Sequence, residues 1–96
     1  MPQVNHVIRT LEFAGYRAQT ELPLDSQIID FLPYPGRHPY PSRHEIFYRT
    51  LEHGDSPCPV ELRVVAIDEP FEEDWNLVTV GTDEHETTYF LLWRWL

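Results

Sequence analysis

The segment 33–43 (PYPGRHPYPSR) limits the fold most strongly, because four of its eleven residues are proline. Proline fixes the backbone φ angle and removes a hydrogen-bond donor, so neither a helix nor a central strand can pass through these residues. We therefore expect an extended, polyproline-type arm here. A chain of 96 residues has the size of one domain, and we expect residues 1–96 to form a single domain around this arm.

The N-terminal segment shows a different pattern. Apolar side chains recur at helical spacing, and a glycine follows that is typical of a helix end. The pattern predicts an amphipathic helix over residues 3–14. The positions that carry it are Val4, Val7, Ile8, Leu11 and Ala14, followed by Gly15.

After this segment, short stretches of alternating apolar and polar residues predict β-strands. The segment 44–51 fits a helix turn or a strand, and its Ile, Phe, Tyr and Thr favour a strand. The last stretch is apolar on both faces, which indicates a central or doubly covered strand. The predicted strands are 16–22, 27–34, 44–51, 60–67, 75–80 and 87–96.

These elements predict an α+β domain, with one N-terminal helix packed on a mainly antiparallel sheet of five or six strands. If the strands form a simple meander, successive loops alternate between the two ends of the sheet. The arm 33–43 and the acidic loop 68–74 would then share one end. The loops 52–59 and 81–86 would share the other end.

Charge is distributed unevenly along the chain. Residues 1–53 contain six acidic and five basic side chains, whereas residues 54–96 contain ten acidic side chains against Arg63 and Arg94 alone. The net charge is −9, and there is no lysine. This acidity predicts a partner protein with a basic surface and disfavours direct binding of nucleic acid.

Composition also excludes several classes of protein. No apolar run approaches the roughly 20 residues that span a membrane, and the N-terminus does not resemble a signal peptide. Cys58 is the only cysteine, which fits a reducing compartment, and we expect a cytoplasmic protein. The sequence contains no GxSxG, GxGxxG or CxxC motif. We therefore expect no enzyme activity and no cofactor.

The acidic loop is the clearest candidate binding site, because its carboxylates surround two aromatic side chains. Carboxylates can bind a partner's arginines and lysines or imitate the phosphates of a nucleic acid, and aromatic side chains can anchor such a contact. The alternative is a solvated loop whose aromatics cap the core. The predicted partner-binding residues in this loop are Glu69, Phe71, Glu72, Glu73, Asp74 and Trp75.

The proline arm is a basic and aromatic segment in an acidic protein. A pre-ordered extended segment binds at low entropic cost, so the arm is a second candidate contact with a partner. It could equally pair with the protein's own acidic loop or be a plain surface loop. The predicted partner-binding residues in the arm are Tyr34, Arg37, His38 and Tyr40.

A metal-dependent hydrolase is an alternative from another class. In a meander, His53 and Asp55 would meet His85 and either Glu84 or Glu86 at one end of the sheet. Two histidines and two carboxylates could hold a divalent transition metal. The segments lack a recognised ligand spacing such as HExxH, and we assign no metal ligands.

The stretch 13–32 (FAGYRAQTELPLDSQIIDFL) resembles the opening of small PD-(D/E)xK-type endonuclease domains, in which a helix precedes a strand and an Asp-Phe pair lies on the next strand. The resemblance implies that Asp30 corresponds to the metal-binding aspartate of the family. It also implies that Glu61 and Arg63 correspond to its ExK motif, with arginine in place of lysine. An active nuclease, or a degenerate relative kept for binding, would follow.

The leading hypothesis is a small inhibitor that binds another protein, of the immunity, antitoxin or phage-encoded anti-defence type. The acidic loop would occlude a basic site on the partner that itself binds nucleic acid. A structural subunit of a larger assembly, tethered by the arm, is the remaining alternative.

Overall fold

A computed structural model describes residues 5–36, 42–54 and 56–96, and within these residues the chain is all-β, without any helix. A helix able to cross a membrane is therefore not found in this part of the chain. The strands form two antiparallel sheets, a first sheet in the order β1-β4-β3 and a second in the order β2-β5-β7-β6. The strands are β1 (His6–Ala14), β2 (Arg17–Pro23), β3 (Gln27–Leu32), β4 (Arg43–Leu51), β5 (Pro57–Ala66), β6 (Asn76–Thr82) and β7 (Thr88–Trp95).

The predicted α+β fold is wrong because the predicted N-terminal helix is strand β1. This strand pairs with β4 along its whole length, from His6 opposite Leu51 to Ala14 opposite Arg43. The buried residue is Phe13, and Ile8 is 64% exposed, so the helical stripe is not the face that the fold buries. Pairing with a distant strand therefore outweighs a local spacing of apolar residues that is typical of a helix.

Gly15 also has a different role from the predicted helix stop. It adopts a φ of 77°, which is favourable for glycine, in the tight turn between β1 and β2. The six predicted strands are confirmed as β2 to β7, with small shifts at their ends. β7 lies between β5 and β6, which confirms its predicted central position.

One core fills the space between the two sheets, and both sheets contribute to it. In β5, the even-numbered residues from Val60 to Val64 point into this core, and the odd-numbered residues point to the outer face of the second sheet. The buried core residues are Phe13, Leu22, Ile28, Phe31, Ile46, Tyr48, Val60, Leu62, Val64 and Leu91.

The two sheets meet closely where β3 lies beside β6. A Cβ atom on Gly81 would lie 2.3 Å from Cδ of Pro33 and 2.9 Å from the carbonyl oxygen of Phe31. Only glycine fits at this contact, because a proline ring and a backbone oxygen cannot move aside as a flexible side chain can. The contact fixes the end of β6 against the start of the proline arm.

The strands do not form a simple meander, so the loop placement that depended on this condition does not hold. The turn at Gly15 lies beside the end of the arm, where its N–H donates a 2.8 Å hydrogen bond to Ser42 Oγ. The 83–87 hairpin lies at this same end, because Gly81 contacts Pro33. The loop after β4 lies at the opposite end, where Asp25 accepts a 2.7 Å hydrogen bond from the N–H of Leu51. The loops 52–59 and 81–86 are therefore separated rather than brought together.

Candidate functional site

The acidic segment 67–75 connects two parallel strands and is called the crossover below. β5 and β6 both pair antiparallel with β7, which lies between them. The connection must therefore pass over β7, and it does so on the outer face of the second sheet. There Trp75, only 6% exposed, packs with Val65 and Leu92 in a second small core.

Hydrogen bonds hold the first half of the crossover to β5. Arg63 of β5 donates to Glu72 at 3.4 Å and to the carbonyl oxygen of Pro70 at 3.3 Å. Glu72 also accepts a 2.8 Å hydrogen bond from the indole N–H of Trp75. This indole bond is the main cause of a lowered pKa of the Glu72 carboxyl. Glu69 accepts a 3.0 Å bond from the N–H of Ala66.

Arg94 of β7 holds the second half. Its guanidinium lies 4.0 Å from the centre of the Trp75 ring, a cation–π distance, and 2.6 Å from the Asp74 carboxylate. It also contacts Glu61 at 2.8 Å. The positive charge of Arg94 is therefore used in contacts with side chains of the protein itself.

Glu61 is a buried carboxylate at the centre of this network. It is 5% exposed and binds Arg17 at 3.0 Å in addition to Arg94. The hydrogen bond from Arg17, and then that from Arg94, lowers the pKa of the Glu61 carboxyl although burial opposes the change. Glu61 is thus ionised and paired on both oxygens, which is what a buried charge requires.

Beside the crossover lies a shallow groove of about 200 Å³, called the groove below. Three exposed apolar side chains border it: Ile67 at 61%, Phe71 at 46% and Leu77 at 56% exposure. Asp68 and Glu69 line the same groove, so an apolar floor has an acidic rim. Such a surface fits a protein segment that offers an apolar anchor flanked by basic side chains.

The structure separates the loop residues predicted from the sequence into two groups. Glu69, Glu72 and Asp74 bind side chains or backbone of the second sheet, and Trp75 is buried beneath them. Phe71 and Glu73 are exposed to solvent. The crossover is therefore a rigid structure with a few outward-facing groups, rather than a free loop with six.

The arm residues lie elsewhere or outside the described part of the chain. Tyr34 is 61% exposed and borders the outer face of the first sheet, together with Leu32 and Glu45. Its N–H donates a 3.0 Å hydrogen bond to Nδ1 of the buried His44. Arg37, His38 and Tyr40 fall outside the described residues.

The geometry expected for the hydrolase alternative is not found. His53 lies beyond β4 at one end of the molecule, and His85 lies in the hairpin at the other, 3.4 Å from Glu84. Asp55 falls outside the described residues. Among residues 5–36, 42–54 and 56–96, no three His, Cys, Asp or Glu side chains form a group that could hold a metal ion.

The resemblance to PD-(D/E)xK domains does not extend to the fold. A strand occupies the place of the family's first helix. Asp30 lies on β3 of the first sheet and accepts a hydrogen bond from the N–H of Phe31, whereas Glu61 lies on β5 of the second sheet. The two carboxylates therefore do not share a site.

Sequence reasoning missed Arg17 and Arg94 as groups that position the crossover, and it considered Glu61 only as part of an ExK motif. It also missed the groove residues Ile67 and Leu77. One signal was available. The charged Glu61 and Arg63 alternate with apolar residues in β5, which indicates that its second face meets charged partners. Comparisons of the chain with protein-family models, with curated proteins and with solved structures give no match.

Proposed function

We propose that this protein binds another protein through the crossover and the groove beside it, and that it acts by occluding a basic site of that partner. The observation that carries the proposal is the exposure of Ile67, Phe71 and Leu77 next to acidic side chains on a braced segment. Exposed apolar groups with a charged rim are typical of recognition surfaces.

The internal bracing supports this role. A surface that is already ordered loses little conformational entropy when it binds, so more of the contact energy remains as affinity. Arg63 and Arg94 hold the crossover in place before any partner arrives. Asp68 and Glu73 make no such internal ion pair in the described part of the chain, and they are the carboxylates left to meet the partner's arginines or lysines.

The proposed biological setting follows from the charge and the single cysteine. A protein of net charge −9 repels nucleic acid and attracts basic nucleic-acid-binding proteins, as an immunity protein, an antitoxin or an anti-defence inhibitor would. A cytoplasmic partner is part of the proposal, since a lone cysteine suits a reducing compartment. We also propose that the protein acts by binding alone and catalyses no reaction.

The test uses variants that spare the internal network. Glu73→Arg reverses an exposed charge, and Phe71→Ser removes the apolar anchor, while Glu72 keeps its bonds to Trp75 and Arg63. Glu52→Arg is the matched control, because Glu52 follows β4 at the far end. Its carboxylate accepts a hydrogen bond from the Asn5 side chain, and its N–H, which the substitution keeps, donates to the Asn5 carbonyl oxygen. Tagged proteins are used to capture partners from lysate of the source organism or of its host.

The expected result is one stoichiometric, basic protein that the wild type and Glu52→Arg retain. Each of the two crossover variants should weaken its binding at least about tenfold, and rising salt should weaken it further. Equal retention by Glu73→Arg, Phe71→Ser and the control would contradict the proposed surface. Circular dichroism of each variant verifies that the fold is intact.

A further inference from the structure

The outer face of the first sheet is not covered by any other part of the described chain. It consists of every second residue of β1 and β4 with the neighbouring residues of β3, and its central row is Thr10, Phe47 and Asp30. Ile8 is 64% exposed and Leu32 is 51% exposed on this face, and Phe47 lies half-buried between them. The face is therefore open to solvent, and its apolar side chains lie among polar and charged ones.

Two side chains of opposite charge flank Phe47 on this face. Along β4, Arg49 lies two residues to one side of Phe47 and Glu45 lies two residues to the other. Residues two apart on a strand point to the same face, about 6.6 Å from each other along the strand. Neither Arg49 nor Glu45 forms an ion pair or a side-chain hydrogen bond with any described residue.

We infer that this face binds a second copy of the same chain, with β4 of one copy antiparallel to β4 of the other. A two-fold axis between the copies and perpendicular to β4 reverses the order basic–aromatic–acidic. Residues of the central row then meet their own counterparts, Phe47 with Phe47 and Asp30 with Asp30, and Arg49 of each copy meets Glu45 of the other. Two sheets packed face to face in this way cross at about 30°.

Charge complementarity selects this arrangement over its main alternative. An axis along β4 would place Arg49 on Arg49 and Glu45 on Glu45, two repulsive contacts. The perpendicular axis replaces both with attractive pairs and brings only the Asp30 carboxylates together. The face as a whole is close to neutral, because Arg43 and Arg49 offset most of the charge of Glu12, Asp30 and Glu45. Two copies of a protein with a net charge of −9 can approach each other there with little repulsion.

The area indicates how strong the contact is. Three strands spaced about 4.8 Å apart, over nine residues, present roughly 400 Å² per copy, which is about half of a standard interface. We therefore expect a reversible dimer that forms as the concentration rises. The inference does not depend on the proposed partner surface, because the crossover covers the outer face of the other sheet.

Sedimentation velocity over a wide range of protein concentration tests the inference. The wild type should shift from monomer to dimer. Arg49→Glu and Glu45→Arg should each weaken the dimer at least about tenfold, because like charges then face each other. Glu73→Arg, on the crossover that covers the other sheet, is the matched control and should dimerise like the wild type.

Mixing the two single variants provides the decisive measurement. In a pair made of one Arg49→Glu copy and one Glu45→Arg copy, both facing pairs are again of opposite charge. The equimolar mixture should therefore form a heterodimer about as tight as the wild-type dimer, which also shows that both variants are folded. A wild type that stays monomeric at all concentrations, or a mixture no tighter than its components, would overturn the inference.

Discussion

The outer faces of the two sheets differ in how much of their apolar surface is covered. The second sheet is covered by the crossover, so β7 is buried on both sides, with Leu91 in the main core and Leu92 beneath Trp75. Within residues 5–36, 42–54 and 56–96, no segment covers the first sheet in this way, and Ile8 and Leu32 are exposed. The comparison teaches that an acidic segment can cover an apolar sheet face. The crossover can bury Trp75 there because arginines of the second sheet neutralise its carboxylates.

Removing Trp75 should give the largest effect on stability. Trp75→Ala leaves a cavity over Val65 and Leu92 and takes away the ring beneath Arg94. We expect a loss of about 3–5 kcal/mol in the free energy of unfolding, measured by urea denaturation. A loss below about 1 kcal/mol would show that the crossover does not cover the second sheet in solution.

Removing the buried charge should have the next largest effect. Glu61→Gln keeps the shape but leaves Arg17 and Arg94 without their carboxylate. We expect a loss of about 2 kcal/mol at neutral pH, since Arg17 is largely exposed and screened by solvent.

The pH dependence of this loss identifies its cause. The folded-state pKa of Glu61 is lowered, so its contribution is present above the unfolded pKa of about 4.3 and disappears as pH falls through the folded value. The gap in stability between the wild type and Glu61→Gln should therefore narrow in acid. A gap that is constant between pH 7 and strong acid would contradict the charge mechanism.

As the pH falls, the first sheet should lose a contribution to stability at a higher pH than the second sheet does. His44 is 0% exposed, and burial lowers its pKa. Its Nδ1 accepts from the N–H of Tyr34, so the ring proton is on Nε2, which has no hydrogen-bond partner in the described chain. The rings of Phe13, Tyr16 and Phe31 surround it, and Tyr16 is the only titratable group among these three.

Protonation of His44 would break the bond to Tyr34 and bury a charge. The stability that neutral His44 provides is full above the unfolded pKa of about 6.5, and it falls by at most about 1.4 kcal/mol per pH unit below that value. His44→Phe should flatten the stability profile between about pH 6.5 and 5. An unchanged slope in this variant would rule out His44 as the group that titrates.

The smallest effect is expected on the uncovered face. Ile8→Thr keeps a β-branched side chain and changes only exposed surface, so the free energy of unfolding of the monomer should change by at most about 0.5 kcal/mol. Denaturation at low protein concentration measures it. A loss comparable to that of Trp75→Ala would mean that the first sheet is covered as well.

Six of the seven strands could be predicted from the sequence, because β2 to β6 show alternation or strand-forming residues and β7 is an apolar, aromatic-rich run. The N-terminal strand could not, because Val7, Ile8 and Leu11 fit a helical stripe until β4 is available to pair with. The strand order could not either, since the crossover depends on contacts between residues distant in sequence, such as Arg94 with Asp74. The acidic loop was identified as a candidate site, but its arginine supports and the groove depend on that topology.

The most direct test of the account compares matched positions on the two faces. A photo-crosslinking amino acid is placed either at Leu77, which is 56% exposed beside the crossover, or at Ile8, which is 64% exposed on the uncovered sheet. We predict that position 77 crosslinks to a different, basic protein, and that position 8 crosslinks to a second copy of this chain. Crosslinking of the basic partner from position 8 but not from position 77 would contradict the assignment of the crossover as the binding surface.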